Sequence, residues 1–390
     1  MATVDGRVRV SHKGAARIRR GHPWVFRSDV QPPRGVPDGA VVEVTGPRGV
    51  ELGFAFFSSR SEICLRMLER GGRLAEDFLG ARLAAALAWR EQVATGAEAC
   101  RLVHGEGDRL PSLIVDRYGD YLVVQTLSQG TERLKAEIVG RLVERLAPRG
   151  ILERNDPKTR ALEGLERRVG LLYGEVPKTV EVVEGGVKLE VDLWKGQKTG
   201  LFLDQRENHQ AAAGYAHGRV LDAFAYNGGF ALQVAARAEQ VTLVDASAEA
   251  VPRARRITER NGLVNVECRE ANAFDLLREL EAAGERFSTV ILDPPAFAKS
   301  RAAVPRAARG YKEINLRGLK LLAPGGFLIT CSCSHHVHEA DFEAIVADAA
   351  ADAGISVTLV EKRRQARDHP VLLGVPETHY LKCLILRRGD

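Results

Sequence analysis

The sequence is poor in the residues that staple, ligate or anchor a chain. Its 390 residues include only six cysteines, two methionines and three tryptophans. The cysteines (Cys64, Cys100, Cys268, Cys331, Cys333 and Cys383) are scattered, and no C-x-x-C pair occurs. That excludes a disulfide scaffold and the usual spacing of zinc and thioredoxin-like motifs. No window approaches the roughly 20 uninterrupted apolar residues of a bilayer span. The opening MATVDGRVRVSHKG lacks the apolar core of a signal peptide. No membrane partner and no metal are therefore expected, and the expected compartment is the cytoplasm. G-x-G-x-x-G is also missing after any strand-like run, which disfavours a dinucleotide pyrophosphate cradle and an NAD-dependent oxidoreductase.

What is present describes a globular chain of several modules. Hydrophobic residues make up 45% and charged residues 27% of the sequence, so disorder is excluded. The length exceeds the about 100–200 residues of a typical domain. Residues 1–74 alternate short apolar runs (AVVEVT, ELGFAFF, ICLRML) with turn signals and read as a small β-rich domain. Residues 75–185 combine the helical run FLGARLAAALAWREQV, two strands turning at Tyr118-Gly119-Asp120 and a helix from Thr131 to Leu146, and read as a central α+β domain. From 186 to 390 strands and helices alternate and the strands are apolar throughout. This predicts an α/β domain with a parallel sheet covered on both faces, led by a β-hairpin at 186–205.

Net charge is +5, but its distribution is uneven. Residues 1–35 carry eight basic side chains, among them Lys13, Arg17, Arg19 and Arg20, against the two acids Asp5 and Asp29. A concentrated basic face is the footprint of a nucleic-acid binder, although a solvated surface has the same composition. Trp24, directly after this stretch, suits stacking on an unpaired base, and equally suits the core.

In a doubly covered parallel sheet, ligands bind outside the carboxyl ends of the strands. The first strand of the last domain ends at Asp222, followed by Phe224, Tyr226 and the turn Gly228-Gly229. An acid before a glycine turn suits a cationic ligand such as the amino-acid part of S-adenosylmethionine. The second strand ends at Asp245, positioned for ribose hydroxyls, and Asn272-Ala273 follows the third, where an adenine edge would lie. Another ends in Asp293-Pro294-Pro295, a stiff exit that leaves carbonyls free for a substrate amino group. The next runs into Cys331-Ser332-Cys333-Ser334. A cysteine here is placed for nucleophilic attack as a thiolate, while a buried inert thiol is the plainer alternative. His335, His336 and His338 follow, but zinc would need about four ligands.

Together these stretches resemble a class I S-adenosylmethionine-dependent methyltransferase. More narrowly, the chain resembles the bacterial large-subunit (23S) ribosomal RNA cytosine-5 methyltransferases, built from a PUA-type domain, a central α/β domain and a Rossmann-like catalytic domain. The resemblance rests on residues 19–26 (RRGHPWVF), residues 198–206 (KTGLFLDQR), Asp293-Pro294-Pro295, residues 309–315 (RGYKEIN) and Ser332-Cys333-Ser334. It implies that Lys198, Asp204, Gln205 and Arg206 cover the methyl donor and that Phe224, Tyr226, Gly228 and Gly229 surround its methionine part. It further implies that Asp245 takes the ribose and Asn272, with Ala273, the adenine, and that Ser247 also belongs to the cofactor site. Many relatives have Asp at position 272, and Asn can still accept a hydrogen bond. The resemblance implies Cys333 as nucleophile, with Asp293 at the base. Position 295 is Pro, where another cytosine-5 group has Pro-Cys, so one cysteine must serve. Lys13, Arg17, Arg19, Arg20, Trp24 and Lys312 are expected to meet RNA. The expected partner is large-subunit ribosomal RNA, with a homodimer as a further expectation. A uridine-5 methyltransferase needs the same thiolate, and a non-catalytic assembly factor could keep the same fold.

Overall fold

A computed structural model describes residues 4–390, which divide into two compact units. One takes the chain up to Val182 with Val191–Leu201 and Arg367–Thr378; the other comprises Val183–Glu190, Phe202–Ala366 and His379–Asp390.

The first unit holds two sheets. The six-stranded one runs in the order Trp24–Phe26, Ile63–Arg70, Glu51–Phe57, Val41–Thr45, Val4–Val10 and Val30–Gln31. Alternating residues such as Val8, Val10, Val42 and Val44 bury one face, with Ala15 and Ile18 of the helix His12–Arg19 packed against it. Ser11 caps that helix by accepting from the Gly14 N–H. The five-stranded sheet is Arg168–Gly174, Gly150–Asn155, Tyr121–Thr126, Leu113–Tyr118 and Ala99–His104. Leu79, Leu83 and Ala86 of Phe78–Val93, and Ile138 and Leu142 of Lys135–Leu146, join its core at helical spacing. The helix expected over 131–146 is broken at Leu134 into Gln129–Arg133 and Lys135–Leu146.

A two-stranded hairpin pairs Thr179–Glu184 with Val187–Asp192. It lies earlier than the 186–205 hairpin expected from sequence. Its turn is Gly185-Gly186, and both glycines have positive φ, as tight two-residue turns require. Residues 203–213 are helical instead.

The second unit is built on a seven-stranded sheet. Its order is Val266–Glu270, Gln240–Asp245, Arg219–Ala223, Phe287–Leu292, Leu322–Ser332, Lys382–Arg388 and Val357–Arg364. The first five strands are parallel and the last two join antiparallel. Separate apolar cores cover the two faces. Tyr311, Ile314 and Phe342 lie on one side; Phe230, Val234 and Ala254 lie on the other. Register sets Ala223 beside Val244 and Leu292, and Leu292 beside Thr330, so the carboxyl ends of these strands come out level. Among the described residues no helix is long and apolar enough to cross a membrane. None of their His, Cys, Asp and Glu side chains group as a metal site.

Candidate active site

Asp222, Asp245, Asp293 and Cys333 all lie at or just past these level ends. Asp245 is half-buried and its carboxylate braces the turn beside it. Oδ2 accepts from the Tyr226 N–H and Oδ1 from the Ser247 N–H, both at 2.8 Å. Each oxygen keeps a second lone pair, so hydroxyl donors can still be accepted. Phe224 and Tyr226 have φ of 69° and 50°. Such left-handed backbone in bulky residues costs of order 1–3 kcal/mol each and clusters at ligand-binding turns. Ser247 Oγ accepts from the Ala250 N–H, Asn272 is the exposed cap of the helix Ala273–Ala282, and Ala273 is buried in its first turn.

The acid and the glycines of this turn also carry packing roles. Asp222 is fully buried, with Oδ2 accepting from the Ala231 N–H, so it ties down the helix start. Burial, together with the facing Asp293 and Asp245 carboxylates, pushes its acid well above the ordinary range. Burial thus favours the protonated form of this acid. The Gly228-Gly229 step is demanded by packing. A Cβ on Gly229 would stand 2.4 Å from the His209 ring, and one on Gly228, at φ 85°, would meet Leu243 and Leu232.

The KTG–LDQR stretch is shared between the units. Lys198 belongs to the first, and Asp204, Gln205 and Arg206 to the second. In the first, Thr199 donates to buried Asp116 at 2.6 Å and meets the Tyr118 hydroxyl at 2.9 Å. Gly200 has φ 147° and leaves no room for a Cβ beside Val191. In the second, Asp204, Gln205 and Arg206 are buried. Asp204 accepts from the Tyr380 hydroxyl at 2.7 Å, and Gln205 Oε1 from Asn208 at 2.6 Å.

The two neighbouring cysteines differ sharply. Cys331 is fully buried opposite Cys383 in the strand ladder. Burial and that second thiol push it well above the ordinary thiol range, so it stays protonated. Cys333 has left the ladder and is half-buried, with Sγ 4.0 Å from the Pro294 carbonyl. Ser334 holds the loop: its Oγ accepts from the Ala298 N–H at 3.1 Å and lies 2.9 Å from the Tyr311 hydroxyl. The RGYKEIN stretch thus supports the cysteine loop through Tyr311. Lys312 instead pairs with Asp352 at 2.8 Å. Sequence reasoning missed Lys382, Tyr380 and Tyr311 as parts of this cluster. A lysine opening the otherwise apolar strand LKCLILR was the one available signal.

In the first unit Lys13, Arg19 and Arg20 are exposed. Arg17 is tied inward, with Nε donating to the Trp24 carbonyl and its guanidinium 4.7 Å from the Phe26 ring. Trp24 is half-buried and donates through Nε1 to Glu106 at 2.9 Å, which commits one edge of the indole.

The strand-end residues fit S-adenosylmethionine. A half-buried carboxylate with lone pairs to spare, an exposed amide cap and a strained turn are gathered at one sheet edge. Comparison with known proteins agrees. Residues 101–387 match a family described as S-adenosylmethionine-dependent methyltransferase, and residues 8–70 match a PUA-like domain. Ribosomal RNA large subunit methyltransferase I of Aeromonas hydrophila is 42% identical over 95% of this chain and 96% of its own length. The protein of that name from Photobacterium profundum is 42% identical over 94% and 95%. A solved structure described as a methyltransferase complexed with SAH superposes with a TM-score of 0.84 at 21% identity, covering 99% of this chain and 100% of that one. Another, described as a SAM-dependent methyltransferase from Streptococcus mutans, gives 0.82 at 20%, covering 99% and 100%. The chain belongs to the ribosomal RNA large subunit methyltransferase I family of S-adenosylmethionine-dependent methyltransferases, with a Rossmann-like catalytic domain and an N-terminal PUA-like domain.

Proposed function

We propose that this chain methylates carbon 5 of a cytosine in large-subunit ribosomal RNA through a covalent bond to Cys333. The supporting observation is the contrast between the two cysteines: one sealed in the sheet, the other half-buried beside the Pro294 carbonyl. The relatives named for ribosomal RNA supply the substrate class.

Carbon 5 of cytosine is too weakly nucleophilic to be methylated directly. Attack of the Cys333 thiolate on carbon 6 makes the ring enamine-like and shifts electron density to carbon 5. S-adenosylmethionine, when bound, supplies the methyl group. Loss of the carbon-5 proton to a base then restores the ring and expels the thiolate. Asp293 is the carboxylate assigned to the cytosine edge, where it accepts from the ring's amino group and orients the base. Asp245, Ser247 and Asn272 are assigned to hold the nucleoside part of the donor. Asp204, Gln205 and Arg206, being buried, are assigned to fix the wall behind it. The target base has to leave its stack to be reached.

Incubation with ribosomal RNA and labelled methyl donor should yield 5-methylcytosine on nucleoside analysis. Recovery of 5-methyluridine instead would assign the site to uridine, and no labelled pyrimidine would rule out both. The exposed Lys13, Arg19 and Arg20 are assigned to RNA phosphates. Neutralising all three should weaken binding and flatten the plot of log affinity against log salt by about 0.7–0.9 for each phosphate that is no longer neutralised. An unchanged slope would show that these side chains do not meet phosphate.

A further inference from the structure

Lys382 opens the strand Lys382–Arg388 and pairs in register with Ser332, one residue before Cys333. It is 2% exposed. Its Nζ donates to the carbonyls of Ser334 at 2.7 Å and Tyr380 at 2.8 Å. Both acceptors are neutral, and an ammonium buried on neutral acceptors is costly unless an anion faces it. A lysine has three N–H donors, so two carbonyls do not exhaust it. Two acidic groups face it, Cys333 and Glu339. Glu339 is 37% exposed and stands 3.9 Å from Lys362 and 3.8 Å from His379, so its charge is shared with other cations and water. Cys333 directly precedes the Ser334 carbonyl that Nζ binds, and its thiol is the less shared of the two.

We propose that Lys382 is a positioning residue for the nucleophile: its amine takes the Cys333 proton and holds the sulfur as a thiolate. The S–H bond breaks, an N–H bond forms, and a neutral pair becomes an ion pair. The functional meaning rests on Cys333 being the nucleophile; the ion pair itself does not.

The surroundings require such a device. The Pro294 carbonyl, 4.0 Å from Sγ beside Asp293, accepts from the thiol and so favours its protonated form. Tyr311, which also faces Cys333, is pushed above its ordinary range, chiefly by burial, and contributes no positive charge. His335 stacks on Tyr380, whose hydroxyl donates to Asp204. Lys382 is a buried cation bonded to this loop. Burial brings its amine down to about 8, with Cys333 and Glu339 pulling the other way. An amine lowered into this range can exchange a proton with a neighbouring thiol.

The test is the pH dependence of iodoacetamide alkylation at Cys333 in the full chain, read by peptide mass spectrometry with Cys333→Ser as the blank. Wild type should reach half-maximal rate below the free-cysteine value of about 8.5. Lys382→Met should move that point up by about one unit and slow alkylation at neutral pH by about tenfold. Lys382→Arg, which keeps the cation, should stay close to wild type. A Lys382→Met profile that superposes on wild type overturns the proposal. So does a wild-type half-point at or above the free-cysteine value, and this arm decides alone should Lys382→Met not fold. Methyl transfer retained in Cys333→Ser would remove the nucleophile reading and leave the alkylation result standing.

Discussion

Replacing Cys333 with alanine is expected to reduce methyl transfer by roughly three orders of magnitude or more, the scale seen when a covalent nucleophile is removed. Binding of S-adenosylmethionine should survive, because Asp245, Ser247 and Asn272 lie on other strand ends and owe nothing to the thiol. Isothermal titration with the methyl donor and a radiolabel transfer assay on ribosomal RNA separate the two effects. Cys331→Ala is the informative partner. Cys331 packs against Cys383 inside the sheet, so truncation leaves a small cavity and costs stability rather than chemistry. Transfer that persists in Cys333→Ala and disappears in Cys331→Ala would reverse the assignment. The contrast is sharp because each residue is judged by a different loss.

Asp116→Ala is expected to cost the first unit about 3–5 kcal/mol, the range for removing one partner of a buried ion pair. Asp116 is fully buried and accepts from Arg101 Nε at 2.8 Å, Arg101 Nη2 at 2.9 Å and the Thr199 hydroxyl at 2.6 Å. Alanine would remove both carboxylate bonds from a guanidinium that is only 12% exposed. It would also release the Lys198-Thr199-Gly200 turn, which is held by Thr199, by Tyr118 and by the Leu201 N–H donating to the Tyr118 hydroxyl. In a unit of this size the thermal midpoint should fall by roughly 2–4 °C per kcal/mol. Faster amide exchange at Leu201 should accompany it. Asp116→Asn keeps the shape and an acceptor, so it should cost less. A loss below about 1 kcal/mol in the alanine variant would mean that the turn is held by its backbone and packing alone.

The basic N-terminal segment shows how far composition reaches. Counting charge singled out residues 1–35, where Lys13, Arg19 and Arg20 are among the exposed basic side chains. Counting could not separate them from Arg17, because that distinction depends on the Trp24 carbonyl and the Phe26 ring brought beside it. The glycine turn taught a similar lesson. Its position at a strand end was readable, but the reason for glycine was not. The His209 ring that excludes a Cβ at Gly229 comes from a separate helix. Asp222 was placed by position, and the fold also makes it a buried brace for its own helix.

By itself the sequence determined the alternation of strands and helices, the apolar strands of a doubly covered sheet and the acids that close them. These are local properties: periodicity, propensity and turn chemistry act over a few residues, and strand ends are where a covered sheet opens to ligands. Only the tertiary structure decided which of two cysteines two positions apart is sealed in the sheet and which is partly exposed. One still belongs to the ladder against Cys383, and the other has passed its end. The tertiary structure also brought Lys382, from the far end of the chain, to the carbonyl that follows Cys333. Antiparallel register sets that meeting, and register is a property of the assembled sheet that no short window of sequence contains.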